Sequence, residues 1–217
     1  MITVQKFTFN PIEENTYLVY DETREAVLID CGCMYKEEEQ ELSGFVAQHD
    51  LAIKRLLNTH LHYDHASGNA FAAKTWGIKP EASEADERLM PTIQEQARRF
   101  GFPMQVEIAP IGHYLEDNEI ISVGNFELKT LFVPGHSPGG LAFYCEAGGF
   151  LICGDVLFYR SIGRSDLFGG DEDTLINSIR KRLLTLPGDT IVYCGHGPET
   201  TIRDEKEYNP YINHKLR

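Results

Sequence analysis

Thr59-His60-Leu61-His62-Tyr63-Asp64-His65 places three histidines and an aspartate within six consecutive positions, 60 to 65. Imidazole is the commonest metal ligand among side chains at neutral pH, and carboxylate suits hard and borderline cations. With 8 histidines in 217 residues, an H-x-H-x-D-H pattern arises by chance in roughly six of ten thousand such chains, which separates it from an incidental histidine-rich loop. Read alone, the stretch marks a metal site and leaves the remaining ligands to be found elsewhere.

Immediately before it, residues 54–58 (KRLLN) read as a short buried strand, which puts the motif at a strand's C-terminal end, where ligands of α/β proteins typically sit. Further upstream, 4–9, 16–20 and 26–30 read as three strands separated by turn signals at Asn10-Pro11 and Asp21-Glu22-Thr23. Asp30 ends the third and is expected to support a loop rather than to bind metal. Residues 36–49 read as a helix with Leu42, Phe45 and Val46 on one face and Glu37, Glu38 and Glu39 as a solvated face. After the motif, 66–76 reads as a helix stopped by Gly77, and 83–101 as an amphipathic helix with Ser83 as N-cap and Asp86 three residues on. Residues 101–115, with Pro103 and Pro110, read as irregular, a lid or substrate-facing insertion. His49, His113 and His214 read as surface or packing histidines, and Tyr63 and Trp76 as packing residues.

The second half repeats one theme. Strands at 120–123, 126–133, 141–145 and 150–153 are followed by Gly154-Asp155-Val156-Leu157-Phe158, read as a strand that delivers an aspartate. A helix at 171–186 and a last strand at 190–194 complete the pattern. His136, Asp155 and His196 each follow an apolar strand and have a glycine beside them, which permits a sharp turn and removes a side chain that would crowd a metal. With His60, His62, Asp64 and His65 they make seven donors. One tetrahedral zinc takes four, so seven suit two metals that share a ligand. Aspartate is the natural bridge, and a paired site lowers the pKa of a bridging water toward 7.

Composition narrows the class. A charge of −13 repels a phosphate backbone, so nucleic acid is a poor partner. The five cysteines, odd in number and without C-x-x-C, read as buried free thiols of a reducing compartment. No apolar run reaches the length of a membrane span, and the N-terminus has no signal-peptide pattern, which together point to the cytoplasm. There is no repeat and no linker, so the expectation is one domain over 1–217.

The H-x-H-x-D-H motif, the later PGHSPGG, the GD after a strand and the final GHG, in that order, resemble the metallo-β-lactamase fold superfamily. Within it the chain is similar to glyoxalase II-like hydrolases of a short bacterial type, through GDVLFYRSIGRSDLFGGD and GHGPETTIRDEKEYNP. The resemblance implies a four-layer α-β-β-α sandwich, α/β in class. It implies that His60, His62 and His136 hold one metal, that Asp64, His65 and His196 hold the other, and that Asp155 bridges. Two divalent ions are implied, zinc by default, with iron or manganese also suited to a His/Asp set. The implied reaction is attack of a metal-bridging hydroxide on a small thioester or ester, with Asp64 holding the hydroxide's proton and Arg164 meeting the glutathione part. Longer glyoxalase II proteins continue into a helical C-terminal domain, and Asp166 stands beside Arg164 where an acid does not attract a glutathione carboxylate. Relatives with a similar ligand set include mononuclear iron persulfide dioxygenases and lactonases. A non-catalytic metal-binding protein is the reading from another class, and it fits an oxygen/nitrogen donor set poorly.

Overall fold

A computed structural model describes residues 1–102 and 105–213. The chain divides into two compact units, Met1–Leu115 with Ser122–Phe126, and Glu116–Ile121 with Glu127–Arg217. Each contains a six-stranded sheet with helices packed on it.

In the first unit the sheet runs in the order β1 (Thr3–Phe9), β2 (Glu14–Tyr20), β3 (Glu25–Ile29), β4 (Ala52–Leu57), β5 (Pro80–Ala82) and β6 (His113–Tyr114). β1 to β3 form an antiparallel meander, and β3 to β6 run parallel. Residues at successive positions of β2 and β3 are buried, so both faces of these strands are covered, in keeping with the apolar runs at 17–20 and 26–29. The crossover from β3 to β4 is α1 (Lys36–Gln48), which places Leu42 and Val46 on Phe7, Phe9, Leu28 and Leu56. Glu38, expected on a solvated face, instead caps this helix: its carboxylate accepts from the amides of Met34 (2.7 Å) and Tyr35 (3.0 Å). Those amides precede the first helical turn, where a carboxylate also meets the positive end of the helix dipole.

Two helix expectations are corrected. The stretch 66–76 divides into α2 (Tyr63–Ala66), which starts inside the histidine motif, and α3 (Asn69–Trp76), stopped as expected by left-handed Gly77. The stretch 83–101 forms a 3₁₀ segment, Glu84–Thr92, and then α4 (Ile93–Arg99). Pro91 lacks an amide hydrogen and cannot sit within a continuous α-helix there. Residues 105–112 are irregular, as read, and β6 then adds to the sheet. Pro103 lies outside the described residues, as does His214. His49 and His113 are exposed.

The second sheet has the order β14 (Thr200–Thr201), β13 (Ile191–Tyr193), β10 (Phe150–Ile152), β9 (Leu141–Cys145), β8 (Phe126–Phe132) and β7 (Ile120–Val123). β8 and β10 are each antiparallel to β9, and β13 is parallel to β10. β8, β10 and β13 therefore all point the same way. Leu175 and Ile179 pack onto Leu151, Val192 and Val133 of this sheet. They belong to α5 (Glu172–Ser178) and to the π-helical turn Ile179–Leu183 that continues it, where the sequence reads as one α-helix over 171–186. Asp155 also departs from expectation. β10 ends at Ile152 and the aspartate lies in a turn, followed by the short antiparallel pair β11 (Leu157–Phe158) and β12 (Ser161–Ile162).

Asp117 ties this unit's surface together. Its carboxylate accepts from Arg182 Nη1 and Nη2 (2.8 and 2.6 Å) and from the Phe132 amide (2.9 Å). The Arg182 hydrogen bonds hold its carboxyl below the usual carboxylate range despite partial burial. The unfolded chain then binds the proton more readily, so this contribution is present above the ordinary carboxylate pKa and is lost as pH falls through the depressed one. Both side chains are partly exposed, so Asp117→Asn is expected to lower stability at pH 7 by less than about 1 kcal/mol. Chemical unfolding of both proteins at pH 7 and near pH 3 checks this, with the difference shrinking at the lower pH.

Candidate metal-binding clusters

In the first unit the parallel pair β3 and β4 brings two strand ends together. Asp30, the residue after β3, donates its amide to Leu57 O (2.9 Å) and takes φ 52°, a left-handed conformation that aspartate tolerates better than most residues. Its buried carboxylate faces the start of the histidine motif. Oδ1 accepts from the Thr59 amide (2.7 Å), and Oδ2 accepts from Thr59 Oγ1 (2.6 Å) and lies 3.0 Å from His65 Nδ1. Thr59 Oγ1 also lies 3.0 Å from His60 Nδ1.

These contacts fix two tautomers. A hydroxyl has one hydrogen, and that of Thr59 goes to Asp30. Its oxygen must therefore accept from His60 Nδ1–H. His65 Nδ1–H likewise donates to the carboxylate. In each neutral ring the lone pair then lies on Nε2, the arrangement that hydrogen-bonded metal-ligating histidines take. A second buried carboxylate, Glu14, lies 3.7 Å from His65 Nδ1 and accepts from Thr16 Oγ1 (2.9 Å). Burial raises its pKa well above the usual range, against the pull of His65.

Residues 59–65 are held at alternate amides. Thr59 N donates to Asp30, Leu61 N to Asp86 Oδ2 (3.1 Å) and Tyr63 N to Gln96 Oε1 (3.2 Å). The carbonyls of Asp64 and His65 accept from Asn10 Nδ2 (3.2 Å) and Asn58 Nδ2 (3.0 Å). The donor atoms of His60 and His62 lie within 4.8 Å of one another, and His65 Nε2 is 3.4 Å from Asp64 Oδ2. His60, His62, Asp64 and His65 are all buried.

In the second unit, because β8, β10 and β13 run the same way, His136, Asp155 and His196 emerge at one edge of the sheet. His136 Nε2 and His196 Nε2 each lie 3.6 Å from Asp155 Oδ2. His136 Nδ1 donates to the Arg164 carbonyl (2.7 Å), which again puts the ring lone pair on Nε2. Two glycines make this geometry feasible. Gly135 has φ 129°, and a side chain on it would overlap the backbone of Leu175. A Cβ on Gly163 would overlap the Asp155 carbonyl oxygen and come within 3.3 Å of His136 Nδ1.

The donor chemistry fits metal. Separations of 3.4–3.6 Å between imidazole nitrogens and carboxylate oxygens are long for hydrogen bonds, yet they suit donors grouped around a cation about 2 Å from each. The mixed nitrogen and oxygen set matches zinc, iron or manganese more closely than calcium or magnesium.

The remaining candidates divide. Arg164 Nε and Nη2 form a two-pronged pair with Asp166 (2.7 and 2.9 Å), and that pair holds the exposed Asp166 carboxyl at about 2. Its guanidinium is thus engaged on the surface while its carbonyl holds His136. Tyr63 is buried among Leu61, Leu89 and Ile93 and stacks on Phe100 (5.2 Å), and Trp76 packs edge-on to Phe71 (5.5 Å), as packing residues do. All five cysteines are buried and none is joined in a disulfide, as expected. No helix among the described residues is long and apolar enough to cross a membrane. Thr59, Asp86, Gln96 and Gly163 support the candidate clusters, and reading the sequence does not single them out. Thr59 and Gly163 do lie inside motifs it marks, whereas Asp86 reads as part of a helix start.

A family model described as the metallo-beta-lactamase superfamily matches residues 10–196. The chain belongs to this superfamily and has its fold. Among curated relatives, hydroxyacylglutathione hydrolase GloC of Haemophilus influenzae is 37% identical over 94% of this chain and 94% of that protein. Persulfide dioxygenase ETHE1 of Bos taurus is 31% identical over 91% of this chain and 70% of that protein. Among solved structures, the BLEG-1 B3 metallo-β-lactamase superposes with TM-score 0.89 at 32% identity, covering 97% of this chain and 100% of that one. TTHA1623, solved in a di-iron-bound form, gives TM-score 0.86 at 34% identity over 96% of this chain and 100% of that one.

Proposed function

We propose that the chain is a two-metal hydrolase of the glyoxalase II kind, acting on S-lactoylglutathione or a related acyl-thiol. The observation that carries the reading is the pair of His/Asp clusters, in which His60, His65 and His136 are each fixed through Nδ1 with the lone pair on Nε2. Choice of substrate class is supported by the match to GloC, which extends over 94% of that protein, so the added helical domain of longer glyoxalase II proteins is not needed for the comparison. The match to persulfide dioxygenase covers 70% of its length.

In the division that the resemblance implies, His60, His62 and His136 would hold one ion and Asp64, His65 and His196 the second, with Asp155 shared. When bound, two such ions lower the pKa of a water between them and polarise a carbonyl oxygen. Zinc is the default, and the di-iron form of TTHA1623 supports iron equally. Asp64 would hold a proton of the attacking water. Asp30 and Thr59 keep His60 and His65 in one tautomer, so no ring rotation competes with ligation. Arg164 meets the thiol carrier only by exchanging Asp166 for a substrate carboxylate. A net charge of −13 suits a small thioester better than a nucleic acid, and the buried thiols suit a cytoplasmic enzyme.

The test is a hydrolysis screen of acyl-glutathione thioesters and lactones, with metal content measured on the same sample. Two ions per chain and turnover of S-lactoylglutathione are expected. One iron per chain with thiol-dependent oxygen uptake would overturn the reading in favour of persulfide oxidation. β-Lactam turnover without thioester turnover would overturn it in favour of the BLEG-1 activity.

A further inference from the structure

We infer that the excursion 84–99 acts as a latch on metal loading, with Asp86 and Gln96 as the positioning residues through which it works. The inference rests on His60, His62 and Asp64 being metal donors, as proposed above. Leu61 and Tyr63 are the two residues interleaved with those donors, and their amides are held by this excursion: Leu61 N by Asp86 Oδ2 at 3.1 Å, Tyr63 N by Gln96 Oε1 at 3.2 Å. Asp86 is fully buried although it sits on a short 3₁₀ segment of charged sequence, EADER. Burying a carboxylate is costly unless its acceptor capacity is used, and here part of that capacity is used on the ligand loop.

Gln96 is aimed rather than merely near. Its Nε2 donates to Thr92 Oγ1 (3.0 Å) and to Leu89 O (3.4 Å). With the amide nitrogen directed at two acceptors, the oxygen is turned toward Tyr63 N. The Tyr63 ring is held from the same side by stacking on Phe100. The Leu61 amide belongs to the peptide plane that follows His60, and the Tyr63 amide to the plane that follows His62, so each contact fixes the backbone directly after a ligand and with it where that ligand's side chain starts. Groups outside the ligand shell that orient ligands typically change metal affinity by about ten- to a hundredfold when removed. The same contacts run in reverse by linkage: metal held by 60–64 stabilises the docked excursion, and an undocked excursion loosens the metal.

The experiment is a cobalt(II) titration of metal-free protein in competition with a chelator, read by the visible absorption of the bound ion, with circular dichroism of each metal-free variant. Asp86→Leu is expected to weaken cobalt binding about tenfold or more and to alter the band shape, while Asp86→Asn, which keeps a carbonyl acceptor, stays within about threefold of wild type. Gln96→Met, at a partly exposed position, is expected to weaken binding without unfolding and so carries the test if Asp86→Leu does not fold. Wild-type affinity and spectrum in Gln96→Met together with either a normal or an unfolded Asp86→Leu would overturn the latch. So would an Asp86→Asn protein as weak as Asp86→Leu, since charge and not the amide contact would then matter. Wild-type protein that binds no cobalt would instead overturn the metal reading itself.

Discussion

Gly163→Ala is expected to disable the second-unit cluster almost as completely as removing a ligand. The added methyl group has nowhere to go: it would overlap the Asp155 carbonyl oxygen, a backbone atom that no rotamer change can move aside. Relief requires the 161–164 segment to withdraw from the 155 turn. That segment carries the Arg164 carbonyl, which accepts from His136 Nδ1 at 2.7 Å. One methyl group therefore disturbs the backbone of the aspartate and the tautomer lock of the histidine together. Overpacking of this kind costs about 1–3 kcal/mol in stability, and loss of the histidine's orienting bond adds about ten- to a hundredfold in metal affinity. The measurement is metal content after dialysis against a weak chelator, with thermal unfolding of the metal-free protein alongside. A variant that keeps both ions and unfolds at the wild-type temperature would show that the loop is free to shift.

His62→Ala is expected to abolish thioester turnover, by at least about a hundredfold, while leaving the fold in place. His62 is the cap residue before α2, with extended backbone, and its side chain makes no cap hydrogen bond, so alanine there keeps the local geometry. What is lost is one nitrogen donor whose ligating atom lies within 4.8 Å of that of His60. The contrast with a core substitution is diagnostic. Far-ultraviolet circular dichroism and the unfolding midpoint of the metal-free protein should be nearly unchanged, with metal content falling and kcat collapsing. Full turnover in this variant would mean that the metal assignment is wrong.

Much of this was legible in the sequence because of where the donors stand. An apolar strand followed by glycine and a histidine or aspartate is a local pattern, and local patterns survive without knowledge of the fold. The strand ends that deliver 60–65, 136 and 196 could therefore be named from residue order. Asp155 could be named as well, although it lies in a turn and not in the strand assigned to it. The helices at 83–101 and 171–186 were less legible. Their apolar spacing fits α periodicity, but Pro91 and the π-helical turn at 179–183 alter the hydrogen bonding without altering that spacing. The supports were hardest to read. Asp30, Asp86 and Gln96 reach the ligand loop across 29, 25 and 33 positions of chain, and no short-range signal joins residues so far apart. Asp30 was still recognisable as a loop support, since an acid at the end of a buried strand needs donors. Asp86 was not, because its place in a helix-start pattern offered a sufficient explanation already.

The common direction of β8, β10 and β13 bears on how the molecule is assembled. β8, β9 and β10 can zip up as successive antiparallel hairpins, but β13, which agrees with β10 in direction, cannot join the sheet that way. β10 and β13 must meet across the whole of α5 and the π-helical turn, which is a long chain closure with little reward until the parallel pair registers. The three donors at their tips are assembled only by that last step. A cation captured there would arrive after the sheet and act as a clasp on a closure already made, slowing its reopening far more than it speeds its formation.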